Sequence, residues 1–320
     1  MIKFVARYWL LLAILTGLVA IETILRFGFG LGNPVLSQAN EETGYLFQPN
    51  QKLVRFGRKI EYNQYSQRSD PVAIAKPEDK LRILMLGDSV LNGTNYSDQT
   101  ETIAELLESK IAASGQPAEV LNASAYSWGI GNQLGYIRKF GFFNSDALLL
   151  QIGTHDLVQP TSVGDHLREN PDRRPLLAIQ EAIIRYVIPR LTGKKSKNDA
   201  VAVVDDTELQ RQFEENLQLL AAIANRARQA NIPVFVVYTP NRADLLPLTE
   251  TPPYKTEFFQ FLDRIDIQVI DTHAAWSNLP ATTLTNYFRD WVHLTIPANK
   301  AIADLLFQEL CLEDSLPACS

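Results

Sequence analysis

From about residue 82 onward, short apolar runs of β type alternate with longer amphipathic patterns, and this alternation constrains the chain more than any other feature. The runs at 82–86, 119–122, 147–152, 232–238 and 267–270 are nearly continuous in aliphatic residues, as expected of strands buried on both faces. Helical patterns fit 100–114, 131–140, 206–230, 254–264 and 297–312. Strands joined by helical crossovers form a parallel sheet covered on both faces, and such sheets bind ligands at the carboxyl ends of their strands. Chemistry is therefore expected just after the strands.

The first thirty residues obey a different logic. Lys3 and Arg7 precede an uncharged apolar run from Tyr8 to Ile21, after which Glu22 and Arg26 stand four apart and can pair on one helix face. A helix over 4–29 is long enough to span a bilayer, and the basic amino end places that end in the cytoplasm with the rest of the chain outside. A cleaved signal peptide and a buried soluble helix are the alternatives; the small-x-small triplet Ser37-Gln38-Ala39 lies well beyond the apolar run. Domain organisation follows as 1–30 anchor, 31–80 stalk and 81–320 main domain. The stalk carries Pro34, Pro49, Pro71 and Pro77, with a hairpin expected from 52–56 and 60–65, packed beside the main domain. Gly28, Gly30 and Gly32 follow no strand and read as a linker.

Between residues 157 and 205 the alternation stops. A helical stretch at 175–191 is followed by a polar, exposed-looking 193–199; the insertion either covers a cleft, packs as an ordinary helix, or offers the face of Ile179, Ile183, Ile184, Val187 and Ile188 to a membrane or partner. With 30 Lys and Arg against 36 Asp and Glu, no cation excess exists to neutralise a phosphate backbone, so nucleic-acid binding is not expected. Cys311 and Cys319 lack Cys/His neighbours at zinc spacing, which excludes a structural zinc site of the usual kind; a disulfide between them suits an exterior location.

Leu86-Gly87-Asp88-Ser89 directly follows the first core strand. A serine on a strand-to-helix turn presents its hydroxyl to the cleft and its N–H beside a helix start, which suits a nucleophile next to an oxyanion site; a plain turn is the alternative. Of the histidines His155, His166, His273 and His293, the last stands three residues after Asp290, a spacing that lets the carboxylate reach Nδ1 and leaves Nε2 for the serine. Asp271 and His273 form a competing pair after the last strand, but their spacing on an extended segment points both side chains to one face without an obvious hydrogen bond, and Asp271 is read as structural.

Taken together, Gly87-Asp88-Ser89, the segment 122–129 (NASAYSWG), Gly153-Thr154-His155-Asp156 and Asp290-x-x-His293 resemble the ordered motif blocks of the SGNH (GDSL-type) hydrolases, membrane-anchored bacterial kind. The resemblance implies a flavodoxin-like three-layer α/β/α sandwich, catalysis by Ser89, His293 and Asp290, no metal or cofactor, and ester substrates such as acylated carbohydrates or lipids. It also implies an oxyanion hole from the N–H groups of Ser89 and Ser127 and the side chain of His155. Two departures accompany it: Ser127 stands at the family's glycine, with Gly129 two residues on as a second candidate, and His155 replaces the family's asparagine, either as donor or as cleft filler.

The expected function is a serine esterase or O-acyltransferase outside the cytoplasmic membrane. The alternatives are a catalytically weak or inactive glycan-binding module in a cell-envelope assembly and a scaffold that meets a protein partner through the insertion. Trp128, Trp276 and Trp291 flank the motifs and are candidates for stacking on sugar, with core packing as the default, while Arg242 reads as a solvated loop cation, with contact to an anionic substrate as the alternative. The glycan-acceptor triplets at Asn92, Asn95 and Asn122 fall in the motif loops and are read as chance.

Overall fold

The computed structural model describes residues 2–162, 171–192, 205–249, 251–312 and 316. His166, Cys319 and the polar segment 193–199 lie outside them. Five parallel strands, β5 (Leu81–Gly87), β6 (Ala118–Ser124), β7 (Ala147–Gly153), β8 (Val234–Thr239) and β9 (Gln268–Asp271), form one sheet in the order β6-β5-β7-β8-β9. This is the doubly wound order of flavodoxin-like sheets, and the strands fall where the apolar runs placed them.

Strand geometry sends alternate side chains to opposite faces, and both faces are filled. Ile83, Met85, Val120, Leu149, Val237 and Ile270 pack with helices Ile103–Ala113 and Ile296–Phe307. Leu84, Leu86, Leu121, Leu148, Leu150 and Val236 pack on the other side with helices Ile130–Phe140, Asp206–Gln229 and Lys255–Arg264. The result is the expected three-layer α/β/α sandwich. At the switch point the chain leaves β5 for β6 on one side and returns to β7 on the other, which opens a crevice at the carboxyl ends of β5 and β7.

The segment 31–80 holds two antiparallel hairpins, β1 (Ser37–Asn40) with β2 (Gly44–Phe47) and β3 (Gln51–Arg55) with β4 (Arg58–Tyr62). The second hairpin turns through Phe56 and Gly57, both at positive φ, as a two-residue turn matched to strand twist requires. The first was not anticipated; its turn is set by Asn40, whose Oδ1 accepts from the N–H groups of Glu42 and Thr43. Tyr45, Leu46, Phe47, Ile60 and Tyr62 are buried in the same cluster as β5 and β7, so this segment closes one side of the core.

The N-terminal helix, Ile2–Thr23, continues through a π turn at Ile24–Gly28, and 6–28 is apolar and long enough to cross a membrane, with mean hydropathy 2.1. The expected pair of Glu22 and Arg26 forms at 2.6 Å. The helical stretch of the insertion is present at 178–192, again with a π turn in its middle. Cys311 is disulfide-bonded.

Candidate active site

Gly87 ends β5 where a Cβ would meet Gln151 Oε1 at 2.5 Å, and the same Oε1 accepts the Asp88 N–H at 3.1 Å. Asp88 caps the following turn, its Oδ1 accepting the Val90 N–H at 2.8 Å. Ser89 opens that turn, which closes at Gly93 with φ 74°. Asn92 anchors it from within: its amide donates to the Ser124 carbonyl at 3.0 Å and accepts the Tyr62 hydroxyl at 3.2 Å.

His293 arrives from a tight loop in which the Arg289 N–H donates to the His293 carbonyl at 2.8 Å and Phe288 bridges Leu294. Its Nε2 lies 3.0 Å from Ser89 Oγ, and its Nδ1 lies 2.8 Å from Asp290 Oδ2. The other oxygen of Asp290 accepts the N–H groups of Val292 and His293 at 3.0 and 2.8 Å. Burial would raise the Asp290 carboxyl, but these hydrogen bonds and the facing imidazole outweigh it and hold it down at about 2. An ionised Asp290 fixes Nδ1 as a donor and leaves Nε2 to accept the serine proton. The Asp-to-His spacing thus delivers the contact expected of it, through a loop.

Ser89 and His293 face a cavity of about 290 Å³ that Tyr96, Tyr126, Ser127 and Trp291 help to line. Among the described residues, no acceptor takes the N–H of Ser89 or of Ser127. Ser127 sits at φ 56°, the left-handed region where glycine is at ease. Its carbonyl accepts Gln159 Nε2 at 2.8 Å and the Ser162 hydroxyl, and the neighbouring Tyr126 carbonyl accepts the Tyr45 hydroxyl at 2.6 Å. These partners hold a conformation that typically costs on the order of 1–3 kcal/mol.

Two expectations are corrected by this geometry. The Gly129 N–H donates to Asn132 Oδ1 at 2.9 Å at the start of helix Ile130–Phe140, so it is not available to an oxyanion. His155 has no free ring nitrogen: Nε2 is 2.9 Å from Asp88 Oδ2 and Nδ1 is 3.0 Å from Asn241 Oδ1. It is a cross-link between the loops after β5, β7 and β8, and not an oxyanion donor.

Burial alone would lower the His155 pKa, but the charge of Asp156 and the hydrogen bond to Asp88 outweigh it and raise it to about 9. Burial pushes the Asp156 carboxyl up. Asp88, His155 and Asp156 bring ligating atoms within 4.8 Å of one another; His155 Nε2 is hydrogen-bonded to Asp88 and lies 3.4 Å from Asp156 Oδ1, which is buried without a hydrogen-bond partner.

The remaining sequence candidates separate clearly. Trp128 and Trp276 are core, whereas Trp291 is 59% exposed and meets His155 edge-on at 5.4 Å. Asn92 and Asn122 are buried, which removes them as glycan acceptors. Asp271 caps helix Thr272–Trp276 and pairs with Lys255 at 2.7 Å, while His273 Nδ1 also meets Lys255, at 3.0 Å.

Sequence reasoning missed Arg68. Its buried guanidinium donates to the carbonyls of Asn92, Thr94 and Ser97 at 2.6, 2.5 and 2.7 Å and so holds the loop that follows the serine. No local pattern marks it, because all three acceptors are backbone groups at least 24 residues away.

No family model matches the sequence, and no curated protein matches it. Among solved structures, the fold is similar to that of TesA, with 13% identity and TM-score 0.43, covering 72% of this chain and 97% of that one. It is similar to a lipase/acylhydrolase from Enterococcus faecalis, with 15% identity and TM-score 0.44, covering 72% of this chain and 95% of that one. It is also similar to the esterase EstA from a Pseudoalteromonas species, with 15% identity and TM-score 0.43, covering 74% of this chain and 98% of that one.

Proposed function

We propose that this chain is a serine hydrolase of the SGNH type, an esterase or O-acyltransferase. It acts on an acylated carbohydrate or lipid outside the cytoplasmic membrane, anchored by residues 1–30. The observation that carries the reading is the continuous series Ser89 Oγ to His293 Nε2 at 3.0 Å and His293 Nδ1 to Asp290 at 2.8 Å, opening into a cleft at the sheet's switch point.

Ser89 Oγ attacks the ester carbonyl carbon as His293 Nε2 takes its proton. The oxyanion is met by the N–H groups of Ser89 and Ser127. His293 returns the proton to the leaving alkoxide, and an acyl-Ser89 remains. Water or a sugar hydroxyl, deprotonated by His293, then attacks the acyl carbon; the acyl–Oγ bond breaks as His293 returns the proton to Ser89 Oγ, and the second nucleophile alone separates hydrolysis from transfer. Orientation rests on Lys3 and Arg7 at the amino end of the apolar helix, which keep that end cytoplasmic.

The test is p-nitrophenyl acetate hydrolysis and fluorophosphonate labelling of the full-length protein in detergent. Ser89→Ala and His293→Ala should abolish labelling and lower turnover by up to about a million-fold. Hydrolysis that survives Ser89→Ala in folded protein overturns the reading.

A second reading, a glycan-binding module with weak or no catalysis in an envelope assembly, draws support from the missing side-chain donor. Losing one oxyanion donor typically costs roughly 2.7–4 kcal/mol. Trp291 and Tyr96, exposed at the cleft, suit a sugar ring. Saturable binding of acylated polysaccharide without labelling of Ser89 would select it.

A further inference from the structure

A cavity of about 550 Å³ lies away from Ser89, with Pro34, Arg173, Leu176 and Ile184 in its lining. Arg173, Arg174 and Arg185 line it together with Asp172 and Glu181. Glu181 is already committed: it is paired with buried Arg55 at 2.6 Å and accepts the Gly32 N–H at 2.6 Å. Arg185 Nε also approaches Glu181 Oε1 at 3.9 Å, so Arg173 and Arg174 face the cavity with Asp172 as its other acid.

Helix 178–192 begins at this cavity. Glu22, at the end of the apolar helix, accepts the N–H groups of Ala178 and Ile179 at 2.9 and 3.0 Å, and Arg26 donates to the Leu176 carbonyl at 3.1 Å. These contacts clamp the start of helix 178–192 to Glu22 and Arg26, the charges in the last turns of the membrane-length helix. The helix then passes the β3–β4 hairpin, where Tyr186 meets Phe56 edge-on at 6.1 Å.

Its outward face is apolar. Ile183, Val187 and Leu191 recur every four residues beside Ile184 and Ile188, all exposed, and Leu176 and Leu191 are 89% and 80% exposed. Phe27 and Phe29 extend the patch onto the N-terminal helix. A single exposed leucine needs no explanation, but a contiguous apolar helix face does.

We propose that helix 178–192 lies in the surface of the same membrane that the N-terminal helix enters, its Ile183–Leu191 face among acyl chains and Arg173 and Arg174 against anionic lipid phosphates. The proposal rests on the reading of residues 1–30 as a membrane anchor. Continuity with that anchor selects a bilayer as the occupant: the clamp through Glu22 and Arg26 leaves the apolar face no free choice of depth. Basic residues bordering a buried apolar face are the pattern of interfacial helices. Attachment at two points fixes the tilt of the α/β domain on the bilayer, where one helix alone would be a swivel.

The test uses the full chain in proteoliposomes, with a nitrobenzoxadiazole probe on Leu15→Cys, Ile184→Cys, Leu191→Cys or Glu214→Cys, and doxyl-labelled lipid as quencher. Leu15, Ile184 and Leu191 should all be blue-shifted and quenched, and Glu214 should not. Quenching at Leu15 with aqueous spectra at Ile184 and Leu191 overturns the proposal and leaves the anchor intact. An aqueous Leu15 removes the anchor and the proposal with it. Blue shift at Ile184 without lipid quenching assigns the face to a second copy or other protein and overturns it too. Replacing phosphatidylcholine by phosphatidylglycerol should deepen Ile184 quenching, and Arg173→Glu with Arg174→Glu should cancel that gain; an unchanged response overturns the headgroup contact.

Discussion

His155 shows how one side chain can be legible as a position and illegible as a role. Its place after β7 follows from the sequence pattern, but its two hydrogen bonds go to Asp88, 67 residues earlier, and Asn241, 86 residues later. Its raised pKa makes it a measurable reporter. Because its folded value, about 9, lies above the ordinary 6.5, the ion pair stabilises the fold fully below about pH 6.5 and loses that contribution as pH rises through 9. Thermal unfolding of the full chain should therefore show a midpoint falling between pH 7 and 9.5, and His155→Gln should flatten that fall. A wild-type midpoint level across this range would mean that His155 is neutral. Asp290 has the opposite sign: held at about 2 against an ordinary 3.8, its contribution is present above pH 4 and disappears toward pH 2. Asp290→Asn should lose less stability than the parent across that acid interval, while its turnover falls by about 10⁴-fold through loss of the tautomer control.

At the scale of elements, the turn carrying Ser89 is built from pieces far apart in the chain. Strand β5 and the Asp88 cap are local and could be read directly; the support under the loop comes from Arg68 and from Tyr62 on β4. A hydrogen bond to a charged donor contributes about 1.5–3 kcal/mol, and a buried carbonyl left without a donor costs a similar amount. Arg68→Met, which keeps much of the volume, should destabilise the protein by roughly 3 kcal/mol or more in urea unfolding. It should also slow fluorophosphonate labelling of Ser89 in protein that is still folded. Labelling at the parent rate would separate the loop from the site. The five central strands were legible because each is an apolar run bounded by polar turns. Hairpin β1–β2 was not, because strands of four residues carry too little alternation and its Asn40 turn resembles any loop.

At the scale of the molecule, residues 31–80 read as a stalk with a hairpin packed beside the main domain. Tyr45, Leu46, Phe47, Ile60 and Tyr62 are almost fully buried, in the cluster that holds β5 and β7. Fully burying one such side chain contributes about 1.5–3 kcal/mol, so several together rival the roughly 5–15 kcal/mol that holds a whole domain. Deleting residues 1–80 should leave an aggregating or molten chain without near-UV signal, whereas deleting 1–21 should leave a cooperative fold; a well-folded chain beginning at 81 would restore the stalk.

What the sequence determined by itself was local in cause: the parallel α/β sheet, from the length and apolar character of its runs; the membrane-length helix, from uninterrupted hydropathy; and the pairing of Asp290 with His293, from a spacing of three. Only the tertiary structure decided which hydrogen-bonding groups were already spent. Gly129 and His155 were candidates as residue types, and both are occupied by partners that no spacing rule connects to them. The physical reason is that hydrophobic periodicity is written along the chain, whereas a buried polar group must be satisfied by whatever folding brings within about 3 Å of it.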